Sequence, residues 1–502
     1  MIRVNKFSAG IAIALCFFLV ACDKKPVEEQ KPVKTSLIMG TVLEATHLDP
    51  TAGAAASIDE VVYANVFEGL TRIDRNGAVK PALAIKWDIS ADKKTYTFYL
   101  HEGVKYHDGS AFTADDVVFS YDRARGEKSV NAQKVLFKAI ESVQKKDDHT
   151  VVVTLKQVTG SFLFNMGWGD AIIVDSVNYK ENKSKPNGTG PFKFKTWVKG
   201  DRIELVKNPD YWGTPAKLKT VTFKIIPDPS AAVAALIAGD IDAFANFPAP
   251  ESMSQFMKVD RLKVVIGNTE GETILSTNNT RGPFKKLKVR QAVAYALDRQ
   301  AIIDGAMFGF GTPIGTHFAP HHPAYVDLTG DFSYNPEKAK KLLAEAGYPN
   351  GFKAVIKLPP PSYARRGGEI VASQLRKVGI ELEIIPVEWG PWISEVFKKR
   401  DYDLTIVSHT EPMDIGIYAR KDYYFNYDSP AFQALMKKLD GTVDPTERYA
   451  ILGDAQRMIS RECVNGYLFQ LAKHGVWDKN IEGLWENSPV QANDLTEAYW
   501  TK

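Results

Sequence analysis

Residues 99–121, YLHEGVKYHDGSAFTADDVVFSY, set His101 and His107 six apart and follow them with Asp108, Asp115 and Asp116. Imidazoles beside carboxylates can bind metal or move protons. The local pattern gives these acids another task. Asp108-Gly109 is a turn pair. Thr113-Ala114-Asp115-Asp116 has the spacing of a capping box, with Asp at the third helical position in place of Glu. Both acids also suit the positive end of a helix dipole. Neither histidine has an HExxH neighbour or a cysteine partner. The stretch is therefore predicted to be scaffold. A second group, His317, His321 and His322 in GTHFAPHHP (315–323), lacks a cysteine or acid at ligand spacing, and no metal or cofactor is expected there. The sequence carries neither GxSxG nor HExxH, and Cys463 is the one cysteine beyond the N-terminal region. A secreted hydrolase stays open as an alternative, because carboxylate pairs for glycoside chemistry need no motif.

These residues must be held by mixed elements. TYTFYL, TVVVTL (150–155) and RIELVKN (202–208) alternate like strands. Ser230–Ala238 reads as a helix ending at Gly239. VRQAVAYALDRQAIIDGAM places Val289, Val293, Ala296 and Leu297 on one helical face. In YNPEKAKKLLAEAGY, Asn335 caps, Pro336 takes the first position and Gly347 stops the helix. GIELEIIPV then reads as the next strand. Helix, glycine turn and strand in succession imply α/β layering.

The chain has 502 residues, 44% hydrophobic and 25% charged, with a formal net charge of +3. That is globular composition with room for two or three cores. No basic run marks a nucleic-acid partner. At the N-terminus Arg3 and Lys6 precede the apolar stretch FSAGIAIALCFFLVA, an export signal too short to span a membrane stably. Leu19-Val20-Ala21-Cys22 resembles the lipobox of bacterial lipoproteins. The expected processing is removal of residues 1–21, lipid on Cys22 and a tether over 22–35, rich in charge and proline. Asp23 favours retention at the inner membrane, so the body is expected in the periplasm on a lipid anchor. No intrachain disulfide is available to it.

Seven segments in order carry a resemblance. NVFEGLTRID (65–74), TYTFYLHEGVKYHDGSAFTADDVVFSYDRA (95–124), GTGPFKF (188–194), LVKNPDYWG (205–213), GDIDAF (239–244), VRQAVAYALDR (289–299) and AKKLLAEAGYPNGF (339–352) resemble signature segments of the peptide-binding, family 5 solute-binding proteins of ABC importers. The resemblance implies an α/β fold of two lobes, the periplasmic-binding-protein fold, with an extra α+β subdomain in the first lobe. Mapped here, lobe one covers 36–268 with the extra subdomain about 67–187. Lobe two covers 269–483, and 484–502 return to lobe one. Crossings fall near Gly267–Gly271 and Asn480–Glu486. The implied function is capture of a peptide or peptide-like small solute between the lobes by a monomer, and its delivery to membrane permease subunits.

The resemblance also places the site. Relatives hold the ligand amine with a carboxylate on a lobe-two loop after a strand that follows "EW". Here VEWGPW (387–392), the strand YDLTIV (402–407) and the loop SHTEPMDIGIYAR (408–420) put Glu411 in the anchor's place, with Asp414 as alternative. A carboxylate there gives charge-assisted bonds to an ammonium. Trp389 takes the place of an aromatic platform. Ser408 and His409 stand at the strand end, and Asn246 and Phe247 face the cleft from lobe one. Relatives that take dipeptides carry an arginine for the ligand carboxylate where this chain has Leu358-Pro359-Pro360-Pro361, and Arg365 and Arg366 look like a helix start. A peptide-like amine, an opine, a nickel complex and haem therefore stand beside a classical peptide as ligands.

Overall fold

The computed structural model describes residues 33–53 and 55–502. The signal segment and Cys22 lie outside the described residues. Two long strands, Leu262–Thr277 and Gly466–Asp478, pair antiparallel and run through both lobes. On one side they meet Ala243–Phe244, Ser36–Thr41, Thr220–Ile225, Arg202–Lys207 and Phe192–Val198. On the other they meet Leu404–His409, Phe352–Leu358 and Ile380–Pro386. The two lobes thus share one sheet. Separate cores fill each lobe: Met39, Phe67, Phe223 and Trp477 in the first, Val293, Leu343, Ile356 and Ile406 in the second. A four-stranded antiparallel sheet, spanning residues 84–155, packs the helix Ala114–Arg125 on a core of its own beside lobe one.

Local signals explain the scaffold elements. Thr113 and Asp116 form the reciprocal capping box, and Thr113 N donates to Asp116 Oδ2 at 3.0 Å. Val117 and Tyr121 then face the subdomain core. His107 Nε2 lies 2.9 Å from Gly190 O, and burial lowers its pKa to about 4. His101 packs against Trp212 with its ring tilted and the centroids 4.3 Å apart. Asn335 Oδ1 accepts from Lys338 N at 2.9 Å, capping Pro336–Glu345. The run from Leu287 is broken, however. One helix ends at Ala296, and Asp298 caps a second, Arg299–Met307.

The return crossing differs from the sequence expectation. Val476 and Trp477 already pair with Phe244 and Ala243 of lobe one, so the chain passes over near Gln470–Ala472, not at Asn480–Glu486. GYLFQLAKHGVWD is an unbroken β-forming run, and nothing in it marks the passage. The mark lies in the pairing, where register breaks between Asn268 and Glu272. Such irregularities bend and twist a ladder locally. Asn480 instead sits in the turn before Ile481–Glu482, which pairs with Tyr499–Trp500. At the other end, Lys34 Nζ lies 2.5 Å from Asp242 Oδ1, and Thr35 O accepts from Lys219 N. The folded body thus begins within the stretch read as tether.

Candidate functional site

A cavity of about 680 Å³ opens between the lobes at this register break. That is the size of a small-molecule site. Its lobe-one wall comes from the helix Ala56–Val62 and the turn Gly169–Ala171, which bring Asp59, Glu60 and Asp170 together. A Cβ on Gly169 would fall 2.4 Å from Asp59 Oδ1, so only glycine lets that carboxylate lie where it does. Burial, then Asp170, then Glu60 push the Asp59 carboxyl well above the usual range. Burial raises Asp170 to about 7. Asp59 Oδ1, Asp170 Oδ1 and the indole Nε1 of Trp168 are buried without a partner. Buried polar groups are normally paired, so unspent ones around a cavity mark a place for another molecule.

The lobe-two wall is built on the strand Leu404–His409, the helix Ser362–Arg376 and the crossing strand. Glu411 is exposed at the lip, and its Oε2 accepts from Thr410 N at 3.3 Å. Tyr363 and Glu270 line the same wall. Glu270 Oε1 lies 2.6 Å from His321 Nε2, yet burial still raises the glutamate's pKa against that neighbour.

The floor is the crossing strand at Lys473 and His474. Lys473 Nζ donates to Trp485 O at 2.7 Å and to Asn487 O at 3.3 Å, and burial lowers its pKa to about 8. Burial lowers His474 to about 4, leaving a neutral imidazole whose Nε2 has no partner. The balance of charge is one-sided. Asp59, Glu60, Asp170, Glu270 and Glu411 face the cavity, while among the described residues Lys473 is its one lysine and no arginine lines it. An entering cation favours the ionised form of these carboxyls, so the lining suits cationic groups better than anionic ones.

The residues singled out from the sequence separate here. Glu411 and Asn246 line the cavity, and Asn246 Oδ1 accepts from His474 N at 3.3 Å. Phe247 borders it, and its buried ring is packed between Phe244 and Phe256. The strand after the EW segment runs on through His409, so Ser408 and His409 are strand rather than loop. Ser408 is not on the wall, and its Oγ lies behind Gly271, 3.0 Å from where a Cβ there would sit. Asp414 turns inward, with Oδ1 2.6 Å from His317 Nε2 and Oδ2 3.1 Å from His409 Nδ1. Two imidazoles hold its carboxyl well below the usual range against burial. Asp414, the alternative anchor, and His409 thus pair with each other and with His317, off the lining of the cavity. Trp389 is 41% exposed, lies off the cavity and packs edge-on against the buried Trp392.

The acids of lobe one went unread. Their signal was Asp59-Glu60 inside the apolar helix ASIDEVV, an adjacent acid pair where one face must be buried. TEGET (269–273) carried a similar sign, two glutamates two apart on a strand otherwise rich in apolar residues. Cys463 offers no nucleophile to the site, because burial pushes its thiol up to about 12. What the arrangement can do is hold a cation from two sides.

Comparison with known proteins agrees with this two-lobed geometry. The family described as bacterial extracellular solute-binding proteins, family 5 middle, matches residues 78–426. The oligopeptide-binding protein AppA of Bacillus subtilis is 30% identical over 520 residues, covering 94% of each chain. Heme-binding protein A of Haemophilus influenzae is 32% identical over 431 residues, covering 77% of this chain and 78% of that one. Among solved structures, HbpA2 of Haemophilus parasuis superposes with a TM-score of 0.86 at 25% identity, over 93% of this chain and 100% of that one.

Proposed function

The chain belongs to the bacterial extracellular solute-binding proteins of family 5, and from that premise we propose that it captures an amine-bearing, peptide-like solute between its lobes. The observation that carries this reading is the acidic cleft. Asp59, Glu60 and Asp170 on one wall face Glu411 and Glu270 on the other, with Lys473 already engaged by carbonyl oxygens. An ammonium drawn between them gains charge-assisted hydrogen bonds from both lobes, and these strengthen as closure removes water. Ligand contacts made only in the closed state are what shift the population toward closure.

The closed protein then hands the solute to the permease subunits of an ABC importer and releases it unchanged. Cys22 carries the lipid that holds the body at the membrane. No helix among the described residues is long and apolar enough to cross it.

The relative named for haem suggests a different ligand, but the lining argues against one here. Haem presents carboxylates, which need cationic partners, and no arginine lines the cavity among the described residues. A thermal-shift screen of short peptides tests the proposal. Peptides with a free N-terminus should stabilise the protein and be recovered intact, and their N-acetylated forms should not. Equal stabilisation by both forms, or recovery of cleaved product, would overturn it.

A further inference from the structure

Behind the lobe-two wall, outside the solute cleft, His317, His409 and Asp414 converge. Their ligand atoms lie within 4.8 Å of one another. We propose that these residues, with Glu272, form a buried binding site for one divalent first-row transition ion, zinc being the best fit.

The observations are independent of the solute site. Each imidazole already has an outer partner on its second nitrogen: Tyr418 OH lies 3.2 Å from His317 Nδ1, and Tyr424 OH lies 3.0 Å from His409 Nε2. That is how metal-binding histidines are oriented, with the far nitrogen held so that the near one faces the ion. Glu272 is the residue directly opposite His409 in the antiparallel ladder. Side chains so placed share a face about 5 Å apart. Glu272 is 3% exposed, and its Oε2 is buried with no hydrogen-bond partner. Glu272, His317 and Asp414 line a common residual space of about 10 Å³, enough for a single atom-sized occupant.

Charge points the same way. Glu270, Glu272 and Asp414 border one residual space, and Glu272 Oε2 has no hydrogen-bond partner there. An unpartnered buried carboxylate such as that of Glu272 is expensive, and a divalent ion beside it removes that cost. Two imidazoles and Asp414 supply three nitrogen and oxygen ligands, and Glu272 beside them or a water supplies the fourth, a set without thiolate that suits tetrahedral zinc and also accepts cobalt or nickel. On binding, His317 Nε2 and His409 Nδ1 present lone pairs to the ion, and their remaining N–H groups donate to the tyrosine oxygens. Protons compete with the ion for the same nitrogen and oxygen atoms, so the affinity falls in acid.

The site ties the segment at His317 to the strand end at His409 and to the loop that carries Glu411. Met413, beside Asp414, has φ +61°, a left-handed conformation that a non-glycine residue holds only when its surroundings fix it. The ion would thus set the shape of the loop that faces the cleft.

Elemental analysis and zinc titration of the chelator-stripped full chain test this. One zinc equivalent should bind, and cobalt in its place should give the visible absorption of a tetrahedral site. Asp414→Asn and His317→Gln should weaken zinc binding by at least about 100-fold, and Tyr424→Phe by about 10-fold or more. His101→Gln, in the extra subdomain, should bind as the parent does. If folded parent protein binds neither zinc, cobalt nor nickel, the proposal fails. It fails equally if Asp414→Asn and Tyr424→Phe both bind unchanged. Should Asp414→Asn not fold, the parent stoichiometry, the cobalt spectrum and Tyr424→Phe still decide.

Discussion

Asp414 Oδ1 lies 2.6 Å from His317 Nε2, which takes Asp414 inward only three residues after Glu411 has turned to the cleft. The two acids of one loop thus do different work. Glu411→Gln keeps shape and removes charge, and should weaken solute binding by roughly 2–5 kcal/mol, much of it from the ammonium left unpaired. Glu411→Asp should cost less. Asp414→Asn breaks a buried charge network and should lower stability by roughly 3–5 kcal/mol. Calorimetric titration beside thermal melts separates the two effects. Loss of affinity in Asp414→Asn at unchanged melting temperature would reverse the assignment.

Asp170 makes both stability and binding depend on pH. Its folded carboxyl is raised to about 7 by burial, whereas in an unfolded chain it sits near 3.9. Between those values the folded protein keeps a proton that the unfolded chain has lost, so this group's contribution to stability falls as pH rises through that window. Asp170→Asn should therefore stabilise the protein at pH 8, by on the order of 2 kcal/mol. Binding runs the other way. An ammonium favours the ionised carboxyl, so affinity in the parent protein should rise from pH 6 to pH 8, and the Asn variant should lose that slope. Titrations at the two pH values check it.

Gly267 is needed for contact rather than for backbone freedom. A Cβ there would fall 1.9 Å from Glu486 O, where the segment 485–488 lies against the crossing strand. Gly267→Ala should cost about 1–3 kcal/mol through overpacking, read by denaturant melts. Unchanged stability would mean that the segment moves away freely.

Trp389→Ala should leave solute affinity within about 0.5 kcal/mol of the parent, as an exposed change off the cavity does. A loss beyond that would return Trp389 to the site.

The sequence disclosed what local chemistry writes. Thr113 and Asp116 announced a helix start, Asn335 and Pro336 another, and the seven signature segments announced the two-lobed fold. Counting from Trp389 pointed to Glu411, which lines the cavity. Asp414 could not be told apart from it, because the deciding partner, His317, is 97 residues away in the chain. The histidine stretch 315–323 showed no acid at ligand spacing for the same reason: Asp414 and Glu272 reach it only through the fold. The return crossing stayed hidden because a register break is a property of two strands, and one strand's residues do not show it. Asp59 and Asp170 were hidden because neither stands in a motif; the fold brings them to one wall.

Solute selection rests on the charge of the cleft, and the most direct measurement is mass spectrometry of the small molecule released when protein purified from its own host is denatured. A solute with a free amine and net positive or zero charge, absent from Glu411→Gln protein, is the predicted result. A net-anionic solute without an amine, retained equally by Glu411→Gln protein, would contradict it.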